Sequence, residues 1–193
     1  IVQSDRTVLL ETANDQFEEA RDVLSIFAEI VKSPEHIHTY RITPLSLWNA
    51  AALGYTPEQV KEELAEFSKY EIPDNLLFDI DDFMSRYGRI KLVAQDDEMY
   101  LISEDQMLLE EVVRQKKVED FIDGPVGNGR VKVKKDQRGF VKHGLIQVGY
   151  PVEDLAGYVE GDSLDVSLRD VTTQGREFEL RDYQKEAVDA FWA

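Results

Sequence analysis

His36-Ile37-His38-Thr39-Tyr40-Arg41-Ile42 runs directly into Thr43-Pro44-Leu45-Ser46-Leu47-Trp48, and this junction sets the fold class. The first half alternates and is rich in β-branched residues, which is a strand pattern. The second half opens with Thr before Pro. Thr caps a helix by accepting a hydrogen bond from an early backbone N–H, and Pro suits the first helical position, where its missing N–H costs nothing. A strand that hands over to a helix within two residues predicts a mixed fold. Upstream, Val2 to Glu11 reads as a strand with Val8, Leu9 and Leu10 at its centre. Phe17, Ala20, Val23, Leu24, Phe27 and Ile30 recur at helical spacing, which predicts a helix from Asp15 to Val31 that Ser33-Pro34 stops. The opening pattern is therefore β-α-β, with Tyr40 and Trp48 as core residues.

Downstream, Thr56-Pro57-Glu58-Gln59 repeats the start pattern for a helix carrying Val60, Leu64 and Phe67. Pro73-Asp74 opens a third, through Leu77, Ile80, Phe83 and Met84, ending near Gly88. Arg89 to Val93 and Met99 to Ile102 read as a hairpin. Three helices and a hairpin is the order of a winged helix. A DNA-reading winged helix places its third helix in the major groove. Here that helix bears Asp74, Asp79, Asp81 and Asp82, which phosphate repels, so the expected scaffold binds protein. Ser103-Glu104-Asp105-Gln106 caps a helix expected to reach Phe121. Gly124-Pro125-Val126-Gly127-Asn128-Gly129 is read as a linker and domain boundary. Beyond it come a strand over Arg130 to Lys134, a short helix with Phe140, Val141, Leu145, Ile146 and Val148, a strand over Leu164 to Leu168, and a helix from Arg181. The expected class is α+β. It comprises a β-α-β plus winged-helix-like domain over 1–124, a small α/β domain over 125–172, and a linker with a final helix over 173–193.

Composition narrows the chemistry. The 193 residues include no cysteine, which removes disulfides, thiolate catalysis and cysteine zinc sites and fits a reducing cytoplasm. No apolar run approaches the ~18 residues of a membrane span, so no membrane partner is expected. The formal charge of −17 argues against a protein that coats nucleic acid throughout. Charge is uneven, however. Between Arg114 and Lys142 there are nine basic residues against four acidic ones, so the remainder is strongly acidic. Lys132, Lys134, Lys135, Arg138 and Lys142 are the candidate DNA contacts. Lys132 and Lys134 share one face of the expected strand, and Phe140 and Tyr150 offer rings for base stacking or for the core. His36 and His38 form an H-x-H pair without a third ligand, and Asp79, Asp81 and Asp82 lack the glycine and closing Glu of a calcium loop, so no metal site is expected. No catalytic triad or carboxylate pair stands out.

Phe178-Glu179-Leu180-Arg181-Asp182-Tyr183-Gln184 resembles the first nucleotide-contacting element of superfamily 2 helicases. The Gln184 amide carries the donor and acceptor that match the N6/N7 edge of adenine. Pro34 to Ala51, Ser85-Arg86-Tyr87-Gly88-Arg89-Ile90-Lys91-Leu92-Val93, and the stretch from Ile146 to Leu168 with Gly149-Tyr150-Pro151 and Leu155-Ala156-Gly157-Tyr158 together resemble the N-terminal region of the XPB family of DNA-repair helicases, in family order. The resemblance implies an ATP-dependent 3′-to-5′ DNA helicase or translocase of nucleotide excision repair. In that frame the acidic part docks a repair-nuclease or repair-complex protein, in the cytoplasm or on the nucleoid. The part after Gly129 is a damage-recognition-like domain contacting forked or damaged DNA. Arg181 and Gln184 bind adenine once a RecA-like motor lobe is complete. No Gly-x-x-x-x-Gly-Lys-Ser/Thr loop is present, so ATP and Mg²⁺ belong to the full-length parent and the chain alone is expected not to hydrolyse ATP. The rival expectation is an acidic adaptor that works without a motor.

Overall fold

A computed structural model describes residues 1–157 and 169–192, without the side chain of Trp192. The strand expected over Leu164 to Leu168 lies outside the described residues. The chain divides into two units, 1–157 and 158–193. The class is α+β, as expected, and the first unit holds two hydrophobic cores.

The first core is built from β1 (Thr7–Glu11), α1 (Phe17–Phe27), β2 (Glu29–Lys32), β3 (Ile37–Arg41), α2 (Pro44–Ala52), α3 (Pro57–Phe67) and α4 (Asp74–Met84). Its sheet is antiparallel in the order β1-β3-β2, so the expected β-α-β is a β-α-β-β without a crossover. Two departures explain this. The expected first strand is broken by a turn in which Arg6 has φ 68°, leaving Val2 as a single bridge to Val8. The expected helix stops at Phe27 because Ala28 turns extended and Ile30 pairs with Tyr40. The β-branched pair Ile30-Val31 fits a pleated strand better than a helical turn, and the open ladder of β3 decides the outcome. Both Thr-Pro starts are confirmed. Thr43 and Ser46 exchange hydrogen bonds at 2.9 and 3.0 Å, and Thr56 and Gln59 at 2.9 and 3.3 Å. Ser46 also donates to the carbonyl of Phe27 at 2.7 Å, closing the end of α1 against the start of α2. Phe27, Ile42, Leu47, Val60, Leu76 and Ile80 are fully buried, each contributing about 1.5–3 kcal/mol of transfer free energy. Tyr40 and Trp48 are core as expected, and the Trp48 indole N–H reaches the carbonyl of Phe83 at 2.8 Å.

The second core surrounds a five-stranded sheet in the order β6-β7-β5-β4-β8. Its strands are β4 (Ile90–Gln95), β5 (Glu98–Ile102), β6 (Ile122–Gly127), β7 (Arg130–Val133) and β8 (Val152–Asp154). Only β4 and β8 pair in parallel. α5 (Gln106–Val113) and α6 (Arg138–Gln147) contribute Leu109, Val112, Val141 and Leu145 to the same core as Ile90, Leu92, Leu101, Val131 and Val133. The hairpin expected as a wing is flanked by β7 and β8, so it is the middle of a sheet and not a wing beside α4. The glycine-rich stretch expected as a linker is strand β6 and a tight turn. Asn128 and Gly129 both have positive φ, 53° and 71°, the twist that a two-residue hairpin needs. The expected boundary at Gly124 therefore falls inside this sheet, whereas the two cores part between Met84 and Ile90. A side chain at Gly129 would be strained: its Cβ would lie 2.6 Å from the carbonyl oxygen of Ser103, and the backbone would have to shift. α5 ends at Val113, short of Phe121, and a 3-10 turn follows at Glu119–Phe121. The shortening lets fully buried Val118 enter the core.

In the second unit, Val171 bridges Glu177, and α7 (Asp182–Trp192) is the helix expected from Arg181.

Candidate nucleic-acid interface

The five candidate cations occupy three different settings. Lys132 stands on β7 opposite Tyr100 of β5. Its ammonium lies 2.9 Å from Glu98 and 3.6 Å from Asp123, one on each neighbouring strand. The hydrogen bond that the ammonium donates to Glu98 raises its pKa, and the charge of both carboxylates adds to this. Two acids therefore surround the one cation, and its field toward solvent is cancelled.

Arg138 and Lys142 lie one turn apart on α6 and converge on Asp154 of β8. The guanidinium grips the carboxylate with two prongs, at 3.1 and 2.8 Å, and the ammonium adds a third contact at 2.7 Å. The N–H of Ala156 donates to the same carboxylate at 3.2 Å, and Arg138 also reaches the carbonyl of Gly157 at 2.6 Å. Burial pushes the Asp154 carboxyl upward, but hydrogen bonds from Lys142, Arg138 and Ala156 outweigh it and leave the pKa below the ordinary value. These two cations fasten a helix to a strand.

Lys134 donates to a backbone carbonyl, that of Asp120, at 2.7 Å, and a neutral partner leaves its charge intact. Lys135 is exposed and has no ion pair among the described residues. Of the five, Lys134 and Lys135 keep the most outward charge. The rings also separate. Phe140 is 61% exposed, whereas Tyr150 is half-buried against the second core with the Arg86 guanidinium 5.7 Å from its ring centre.

The acidic helix α4 is less acidic in effect than in sequence. Asp79 pairs with Arg6 at 3.7 Å, Asp81 with Lys61 at 2.7 Å, and Asp82 with Arg86 at 2.6 Å. His36 is exposed, while His38 is half-buried, with its ring edge-on to Phe17 at 5.2 Å and its Nδ1 unpartnered. Among the described residues no three His, Asp or Glu side chains are grouped to hold a metal ion. At the start of α7 the N–H of Arg181 donates to Oε1 of Gln184 at 3.0 Å, so the glutamine caps its own helix. Its amide N–H groups have no part in that bond.

Sequence reasoning missed the acids that neutralise the candidates. Glu98 is 34 residues from Lys132, and Asp154 is 16 from Arg138, so only the strand register brings them together.

The comparisons agree with one another on the kind of protein. A family described as "Helicase conserved C-terminal domain" matches residues 1–122. Its description differs from the N-terminal placement expected from the sequence. The whole chain is 47% identical to the DNA 3'-5' helicase XPB of Mycobacterium tuberculosis and 44% identical to that of Kineococcus radiotolerans, covering 34% of each. Over 61% of its length it is 35% identical to the General transcription and DNA repair factor IIH helicase/translocase subunit XPB of Drosophila melanogaster, covering 16% of that protein. The domain is thus of helicase type. More specifically, the chain belongs to the XPB family of superfamily 2 helicases. It spans about a third of the length of the bacterial relatives it matches. Among the described residues no helix is long and apolar enough to cross a membrane.

Proposed function

We propose that the chain is the N-terminal accessory region of an ATP-dependent 3′-to-5′ DNA helicase or translocase of nucleotide excision repair, and that it docks a protein partner and guides forked or damaged DNA toward a motor. The observation that carries this reading is 47% identity over the entire chain to a protein named as a DNA 3'-5' helicase. Relatives named as subunits of a transcription and DNA repair factor support the docking half, with the partner a repair-complex or repair-nuclease protein. The acidic surface around the first core is the docking face, where Asp79, Asp81 and Asp82 are paired while exposed Glu58, Glu62 and Asp74 are among the acids without an ion pair in the described residues. DNA contact rests on the second core, where Lys134 and Lys135 carry charge that no carboxylate of the described residues holds.

ATP and Mg²⁺ enter with the full motor. The Gln184 amide, with Arg181 beside it, fits the adenine end of ATP because its N–H groups take no part in the capping bond and its capped oxygen keeps a second lone pair. No described residue is assigned to the phosphates.

Fluorescence anisotropy on forked DNA at two salt concentrations tests the DNA half. Salt-sensitive binding that Lys132→Glu/Lys134→Glu/Lys135→Glu removes supports it. Absence of binding at low salt overturns it.

A further inference from the structure

Phe140 lies on the outer side of α6 with most of its ring in solvent. It is not a lone apolar residue of the kind every surface carries. Its ring is stacked on that of Phe121, with centres 5.8 Å apart and planes 24° from parallel. Phe121 in turn packs against the second core. The exposed ring is therefore propped from below and held in one plane. Lysines lie in the segments that pack around this ring pair. The Lys134 N–H donates to the carbonyl of Phe121 at 2.9 Å and its ammonium to that of Asp120 at 2.7 Å, with exposed Lys135 next in sequence. Gly144, one helical turn beyond Phe140, packs so closely on the Lys117 carbonyl that a Cβ would collide with it. This contact brings the backbone that carries exposed Lys116 and Lys117 against α6. Glu119, Asp120 and Asp136 share the stretch, and none of their carboxylates forms an ion pair with these four lysines among the described residues.

We propose that Phe140 is a stacking platform for an unpaired base of single-stranded DNA, with Lys134 and Lys135, and Lys116 and Lys117 of the segment packed on α6, taking the neighbouring phosphates. A supported, exposed ring binds any base through its π surface, and lysines in the neighbouring segments can hold the backbone that carries it. In a duplex the bases stack on one another, so the ring has nothing to take up. The platform selects strands already separated. It rests on the DNA-guiding reading and makes that reading specific to one ring and to one state of the DNA.

The test measures binding of the 193-residue chain to a short oligodeoxythymidylate and to an abasic oligomer of the same length, which keeps the phosphates and lacks the bases. Phe140→Ala is expected to weaken binding to the thymidylate about tenfold, within the range of one lost base stack, and to leave abasic binding unchanged. Phe140→Tyr is expected to bind as wild type does, and unchanged thermal melting of both variants excludes misfolding. Thymidylate binding that Lys135→Glu weakens and Phe140→Ala does not overturns the platform while the DNA-guiding reading stands. No binding of any single strand or fork by the wild-type chain overturns both.

Discussion

Asp154 of β8 receives both prongs of the Arg138 guanidinium and the ammonium of Lys142, with only 14% of its own side chain exposed. Removing the carboxylate leaves two cations facing each other in a partly closed site, and the short β8 loses its tie to α6. Asp154→Ala is expected to destabilise the first unit by about 2–4 kcal/mol, measured as a shift in urea midpoint.

The same carboxylate gives stability a pH dependence of defined sign. Its folded pKa lies below the ordinary value of 3.8, so its contribution is fully present above pH 3.8 and is lost as pH falls through the lower folded value. The urea midpoint of the wild type is expected to drop on acidification below about pH 4 more steeply than that of Asp154→Asn. Parallel curves for the two proteins would contradict the assignment.

Gly144→Ala separates intrinsic propensity from packing. Alanine at a helical position gains about 1 kcal/mol over glycine when nothing else changes. Here the added Cβ meets the Lys117 backbone carbonyl, which has no flexible end to move aside. A net loss of about 1–3 kcal/mol is expected in chemical denaturation, and a gain would show that the packing of α6 on the 115–118 segment is loose.

Ser46 serves three partners, the Thr43 N–H, the Thr43 carbonyl and the buried Phe27 carbonyl. Ser46→Ala is expected to cost about 1–2 kcal/mol, read as a lower melting temperature, because it removes the return half of the α2 capping box and leaves an acceptor at the end of α1 unpaired.

Among the lysines, the surroundings rank the expected losses in DNA binding. Lys135→Ala is expected to reduce the slope of log affinity against log salt by about one phosphate contact. Lys132→Ala is expected to leave that slope nearly unchanged, because Glu98 and Asp123 already neutralise the ammonium. Equal effects at both positions would show that these ion pairs open on binding.

The parts of the fold legible in the sequence were those specified within four residues. The capping boxes at Thr43 and Thr56 and the β4–β5 hairpin were of this kind. β2 was not legible, because Ile30 continues the helical spacing of α1 and only pairing with Tyr40 turns it into strand. Asn128-Gly129 is a strong hairpin pair that the preceding Gly124-Pro125 disguised as a linker. The family was legible from whole motifs. The basic stretch was visible as a count of charges, but its division into neutralised, fastening and outward-facing residues depends on acids up to 34 positions away.

β8 is the last strand of the second core. It lies parallel to β4, the strand through which the chain enters that core, with Ile90 beside Val152 and Leu92 beside Asp154. Entry and departure are laced side by side. A pull on the chain beyond Gly157 is therefore borne first by three paired residues and the Asp154 clamp, so under tension this edge is the seam along which the second core opens, while the β5–β7 centre of the sheet remains shut.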